Sequence, residues 1–416
     1  MAGPIPNNAN SLTINKVFLT SATGANTTTA SYTLTNPVTL KSGQSATILI
    51  PNVACNSANI HYSLSAKIQY SYDVPTIGMQ TINTTGTVAG TSITGKPSTL
   101  TSYEPITITN TQSSATSSPF QQMINFTSSD PGFSSIATGN FGQNVEFFYY
   151  NGTVIPSWLE NYTSTNGLWW LKIAAIPGGS SETVYVGFAP TSISLFNTVN
   201  DGEAPQLSST YAEYDDGANI FTYYQRWGGL SALPTDWSSA SGTVIIFNSD
   251  YTEIAPPAST AGWYGIYLNP IPSSLSSTTT IWELYGNYYD GTNAGQDIGT
   301  AGGSPINTNG YSFVEGDSPT NLIYEGNQFD TGYDDTNVNK IYGMVMASST
   351  SLTMTINYNP IFTATTATAE APTYFDIAPS NNGGSDPSTG IYVYWIRTRS
   401  YPPNGVMPSV SFGSVA

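Results

Sequence analysis

Charge is the first thing this chain has little of. Of its 416 residues only 8% are Asp, Glu, Lys or Arg, about a third of the share in an ordinary soluble domain. Nine bases stand against 26 acids, giving a net charge of −17. Nucleic-acid binding needs a basic footprint to neutralise phosphates, and there is none. An anionic membrane surface would repel the chain, and no apolar run approaches the ~18 residues of a membrane-crossing helix. Cys55 is the single cysteine, which excludes an intrachain disulfide and reads as a small buried apolar residue. His61 is the single histidine. That excludes His-rich metal sites and argues against Ser-His-Asp and Cys-His catalysis. The opening Met1-Ala2-Gly3-Pro4-Ile5-Pro6-Asn7-Asn8 has neither the basic region nor the apolar core of a secretory signal.

Ser, Thr, Asn, Gly and Tyr fill the space that charge leaves. Thr and Tyr favour strands; Gly, Asn and Ser favour turns; none builds a charged helix surface. The composition predicts an all-β chain of three tandem β-sandwich or jelly-roll-like domains. It also predicts tolerance of strong acid, because a fold that rests little on ion pairs loses little when carboxylates protonate.

The layout follows from strand candidates between turn clusters. Residues 1–9 read as an extended arm. Residues 10–98 read as an immunoglobulin-like or jelly-roll anchoring sandwich, with strands at 17–19, 31–34, 46–50, 60–64 and 66–72. A small sandwich follows over 102–195, where Asn151-Gly152 between apolar runs is a hairpin signal. The last unit, 200–416, has enough strands for one large two-sheet sandwich.

The second and third units resemble an archaeal pairing of a small β-domain with a concanavalin A-like (laminin-G-like) sandwich. The blocks that carry the likeness are Val145-Glu146-Phe147-Phe148-Tyr149-Tyr150-Asn151-Gly152-Thr153, Trp169-Trp170-Leu171-Lys172-Ile173 and Thr183-Val184-Tyr185-Val186-Gly187-Phe188. The closing Ile391-Tyr392-Val393-Tyr394-Trp395-Ile396-Arg397-Thr398-Arg399-Ser400, with its Pro402-Pro403 exit, completes it. The resemblance implies a concanavalin A-like fold for 200–416 and a place among archaeal surface and adhesion-type proteins or archaeal virus structural proteins.

A sandwich of that kind invites a glycosidase reading, which needs paired carboxylates close together. Glu283, in Trp282-Glu283-Leu284-Tyr285, has no acidic partner two or four residues along its strand, so no enzyme activity is expected. Sugar binding needs an aromatic platform with amide and carboxylate groups. Trp227, Tyr285, Asn287, Tyr289 and Asp290 have that inventory and are the candidate carbohydrate-binding residues. Calcium is the one cofactor the sequence admits, through Asp215 and Asp216 first, with Asp334-Asp335 and Glu315/Asp317 as further pairs. Sequons at Asn26, Asn83, Asn125, Asn151 and Asn161 permit glycosylation. The expected protein is a virion surface or attachment protein of an archaeal virus. Its expected partners are other virion or surface-assembly subunits, copies of itself, and host-surface glycans. The competing expectations are a cell-surface adhesin or filament subunit, or a secreted carbohydrate-binding protein.

Overall fold

In the computed structural model the described residues are 11–23, 26–41, 61–74, 78–91, 95–258, 260–268, 280–288, 296–301, 306, 310–315, 320–324, 327–333, 338–348, 351–364, 374–381 and 390–416. They form an all-β chain whose longest α-helix among them is the single turn Gly217–Ile220. The chain divides into two compact units, Met1–Gly95 and Lys96–Ala416.

The described part of the first unit is one antiparallel sheet of four long strands, in the order Asn26–Leu40, Leu12–Thr23, His61–Val74, Gly78–Thr91. Alternation sends Leu12, Ile14, Tyr70 and Tyr72 into one apolar cluster, as a sheet with one buried face requires. The strands expected at 60–64 and 66–72 are one continuous strand. The strand expected at 46–50 lies outside the described residues, so these supply one of the two sheets a sandwich needs.

The second unit holds two sandwiches, and the boundary expected near 200 does not separate them. One small sheet runs Ser409–Phe412, Ser102–Asn110, Ser180–Phe188, Val145–Tyr149; the other runs Asp201–Glu203, Ser157–Tyr162, Asn166–Ile173, Phe120–Thr127. Strands beyond residue 200 therefore complete both small sheets: Asp201–Glu203 pairs in parallel with 157–159, and Ser409–Phe412 pairs with 106–109. The reason is edge satisfaction. An uncovered strand exposes a row of backbone donors and acceptors, and the chain's last strand returns to cover that of Ser102–Asn110. Phe412 then stacks on Phe126 at 4.8 Å, closing the core made by Ile106, Ile108, Phe147, Trp169, Val184 and Val186. The Asn151-Gly152 turn forms with Gly152 at φ +82° and Gly152 N–H donating to the Tyr149 carbonyl at 2.8 Å. Its return arm is only the Phe148–Val154 bridge.

The large sandwich consists of two sheets facing each other, the layout expected of a concanavalin A-like partner. One is ordered Val244–Phe247, Thr252–Ala255, Ile391–Ser400, Thr280–Tyr288, Lys340–Ser348, Ser351–Ile356, Asn359–Ala364, with Tyr223–Arg226 also on Ile391–Ser400. The other is ordered Trp237–Ser239, Ile266–Leu268, Tyr374–Asn381, Gln296–Ala301, Gly310–Glu315, Thr320–Tyr324, Asn327–Tyr333. Between them lie Trp227, Trp282, Leu284, Ile391, Val393 and Ile396 against Trp237, Phe313, Phe375 and Ile377. The segment 262–268 forms two short strands, Gly262–Trp263 and Ile266–Leu268, rather than one. Gly265 approaches the neighbouring strand so closely that a Cβ would lie 2.2 Å from the Ile377 carbonyl oxygen.

The two sandwiches meet at an aromatic seam of Trp158, Trp170, Ile220, Phe221, Ile341 and Trp395. At its centre the buried Arg397 guanidinium lies 4.5–5.4 Å from the ring centroids of Phe221, Trp395, Trp170 and Trp158. It pairs with Glu160 and Glu283, both at 2.7 Å, while Arg399 pairs with Glu283 at 2.8 Å. Trp170 Nε1 donates to Glu160 at 2.7 Å, and Arg397 donates to the Tyr358 hydroxyl at 2.6 Å. Each of these charges has an opposite charge within 2.8 Å, which offsets part of its desolvation cost, although Arg397 Nη1 has no hydrogen-bond partner.

Candidate functional site

The strand Ile391–Ser400 alternates so that Ile391 and Val393 enter the core, which turns Tyr392 and Tyr394 to the other face of the sheet. Register supplies their neighbours. Tyr392 pairs with Glu253 on one side and Asn287 on the other. A register shift beside Tyr285 and Gly286 brings Tyr394 next to Tyr285. Ring centroids are 4.6 Å apart for Tyr251–Tyr392, 5.6 Å for Tyr251–Tyr394, 5.4 Å for Tyr285–Tyr394 and 5.3 Å for Tyr285–Trp395. The result is a lattice, with Glu253, Tyr392 and Asn287 in one row and Tyr251, Tyr394 and Tyr285 in the next. The four tyrosines and Glu253 are half-buried, so each keeps a surface for solvent or ligand.

The polar groups of this face are held in place from behind. Asn287 donates to Asn339, and Asn339 in turn hydrogen-bonds the Tyr285 hydroxyl. Asn287 is itself buried, 7% exposed, and its Oδ1 lies beneath the surface without a partner. Burial raises the proton affinity of the Tyr251 and Tyr285 hydroxyls and of the Glu253 carboxyl. At neutral pH the phenols are therefore intact donors over flat apolar rings. Such a face can stack on the C–H surface of a sugar ring while the phenols and the Glu253 carboxyl take its hydroxyls.

The structure brings together two of the five expected carbohydrate residues, Tyr285 and Asn287. Trp227 is a correction. It is 0% exposed between the large sheets, edge-on to Trp237 at 4.9 Å, because its ring fills the core. Tyr289 and Asp290 lie outside the described residues, as do Cys55, Asp317 and Asp334-Asp335. The residues missed by sequence reading are Tyr251, Glu253, Tyr392 and Tyr394. Period-two alternation in Tyr251-Thr252-Glu253 and Tyr392-Val393-Tyr394 was the available signal.

Asp215 and Asp216 do not converge as calcium ligands. Asp215 is already occupied by Trp158 Nε1 at 3.1 Å, the Gly217 N–H at 3.1 Å and the Tyr224 hydroxyl at 3.0 Å. Asp216 is 2% exposed, and neither of its carboxyl oxygens has a partner. Among the described residues no group of three or more His, Cys, Asp or Glu is placed to hold a metal. Asn83, Asn125, Asn151 and Asn161 are exposed, as glycosylation requires; the Asn26 side chain lies outside the described residues. Glu283 is committed to Arg397 and Arg399. Burial alone would raise its pKa, but the two guanidiniums outweigh it and hold the carboxyl below its usual range.

No family model matches the chain. It is 27% identical over 354 residues to a protein named "Uncharacterized protein 562" of Sulfolobus islandicus rod-shaped virus 1. The match covers 73% of this chain and 58% of that relative's length. The chain thus has a relative in an archaeal virus. Among solved structures it is similar to the Emp47p carbohydrate recognition domain, at 10% identity over 43% of this chain and 95% of that one, with a TM-score of 0.33. A Bacillus licheniformis β-glucanase is similar at 12% identity, over 42% and 97%, with the same TM-score of 0.33. TM-scores this low carry no function from those proteins to this chain. No helix among the described residues is long and apolar enough to cross a membrane.

Proposed function

We propose that this chain is a structural surface protein of an archaeal virus particle and that its tyrosine lattice binds host-surface glycans. The lattice is the observation that carries the reading. Four half-buried tyrosines on or beside three adjacent strands, together with the Glu253 carboxyl, form an aromatic surface of the kind that binding faces use. The viral relative supports the particle, and the low charge and β-rich composition support an exterior location. Glu253 stands in the lattice and the exposed Asp250 stands beside Tyr251; we read the face as a binding surface rather than as the paired-carboxylate site of a glycosidase. Assembly with further copies or other virion subunits would use open strand edges. Val244–Phe247 ends its sheet with Val244 38% and Ile246 43% exposed, the kind of edge that pairs with another chain.

A glycan array probed with the intact chain, and with Tyr392→Ala and Tyr394→Ala variants that melt as the parent does, tests the lectin half. Binding to a defined set of glycans, lost in both variants, is expected. A flat array, or binding that survives both substitutions, contradicts it. A cell-surface adhesin would use the same face, and the location of the protein, in particles or only on cells, separates the two.

A further inference from the structure

Beneath the seam lies a second group of acids that the proposed function does not use. Glu146 comes from Val145–Tyr149, Asp201 from Asp201–Glu203, and Asp215 and Asp216 from the turn that enters Gly217–Ile220. Glu146, Asp201 and Asp216 are 9%, 4% and 2% exposed, and each has at least one buried oxygen that no donor reaches. Asp216 occupies the N-cap position of the helical turn yet makes no capping bond. Its carboxyl rests instead on the Gly202 backbone, where a Cβ would lie 2.0 Å from Oδ1 and 2.3 Å from Cγ. The Glu203 N–H donates to the Tyr214 carbonyl at 3.0 Å, so the turn is docked along the strand. Directly after it, Ile220 and Phe221 enter the seam against Trp158, Trp170 and Trp395.

A carboxylate in such a place is costly, and a neutral acid is not. The groups that face the pair offer no compensating charge. Asp201 sees Glu146 and accepts from Asn197 Nδ2 at 3.1 Å; Asp216 sees Asp215 and Asp201. Around Asp215 stand Trp158, Tyr224, Tyr211 and Arg226, and the Arg226 field acts on Asp215. Glu203 is tied to the Ser208 hydroxyl at 2.6 Å with Glu213 nearby, and Lys172 donates to the Asn219 carbonyl at 2.7 Å.

We propose that Asp201 and Asp216 form a proton-held latch: while both are neutral acids the 214–217 turn stays seated on Asp201–Glu203, and loss of their protons releases the turn and loosens the seam behind it. Burial first, and neighbouring acids second, push Asp201 up to about 8 and Asp216 to about 9, from 3.8 for both. The sign follows from the raised values. The closed latch holds protons that the open one gives up, so its stability is full below about pH 4 and is lost as pH rises toward 8 and 9. The chain is locked in acid and unlocked in alkali.

Hydrogen exchange of the full chain from pH 5 to 10, corrected for intrinsic rates, tests this. In the parent, protection at 201–203 and 214–221 is expected to fall by about tenfold per pH unit per released proton up to pH ~8. Protection at Ile266–Leu268 and Tyr374–Asn381, on the sheet of the large sandwich away from the seam, should hold through that range. The Asp201→Asn/Asp216→Asn variant should show a flat profile at the turn. A parent profile that is itself flat, or an equal fall in the variant, overturns the latch. So does restored protection on adding calcium at pH 9, which would make the cluster a cation site. The parent profile needs no variant, so a variant that fails to fold leaves the test decisive.

Discussion

Arg397→Met takes one charge from the centre of the seam and leaves two behind. Glu283 keeps Arg399 at 2.8 Å, but Glu160 loses the cation 2.7 Å from it and retains only neutral donors, Trp170 Nε1, the Tyr358 hydroxyl and Asn161 Nδ2. Breaking a buried pair by removing one partner costs about 3–5 kcal/mol, because the remaining charge is uncompensated. Methionine fills the space between the aromatic rings with a flexible apolar chain, so the loss is electrostatic more than steric. Adding Glu160→Gln removes the stranded charge and should recover about half of the loss. All eight tryptophans lie beyond residue 95, and three of them surround the guanidinium. Tryptophan fluorescence in a urea titration therefore follows this unit alone. A loss below ~1 kcal/mol would refute the reasoning, since it would mean that water already shares the pair. The same pair limits the acid tolerance expected from composition. The Glu283 carboxyl is held below its ordinary 4.5, so its contribution is present above that pH and is lost as pH falls through the lower folded value. Melts between neutral and roughly pH 3 should show that loss in the parent and less of it in Arg397→Met.

Three further outcomes are expected. Trp227→Ala empties a core site and should cost about 3–5 kcal/mol in a melt, yet the folded variant should bind glycans as the parent does; lost binding at full folding would return Trp227 to the site. Gly202→Ala drives a methyl into the Asp216 carboxyl and should destabilise by about 1–3 kcal/mol, whereas an unchanged melting temperature would show that the turn is not seated on the strand. Intact mass of native protein should exceed the sequence mass by hexose increments, lost in steps as Asn83, Asn125, Asn151 and Asn161 are changed to Gln; a mass equal to the sequence rejects glycosylation.

The all-β architecture was legible because strand signals are local. The alternation of Ile391 to Tyr394 and the turn at Asn151-Gly152 sit within a few residues of what they determine. Unit boundaries were less so. Nothing near Ser409–Phe412 says that it pairs with 106–109, since the cause is an open edge about 300 residues away. The same holds at the sites. An aromatic reads alike whether it fills a core, as Trp227 does, or paves a face, as Tyr392 does; only pairing register decides. Glu283 has no acidic partner along its own strand, but its partners Arg397 and Arg399 lie on the adjacent strand, beyond any local pattern. The Asp215-Asp216 pair looked like one site. The structure splits it into a hydrogen-bonded Asp215 and a sealed Asp216, a difference of burial that two identical letters cannot carry.

The exterior location is the centre of this account, and labelling of particles tests it most directly. Particles purified on a density gradient from a culture that produces the chain should carry it, and an antibody against residues 96–416 should decorate them intact, without detergent. Particles that lack the chain, or that bind the antibody only after disruption, would contradict the account.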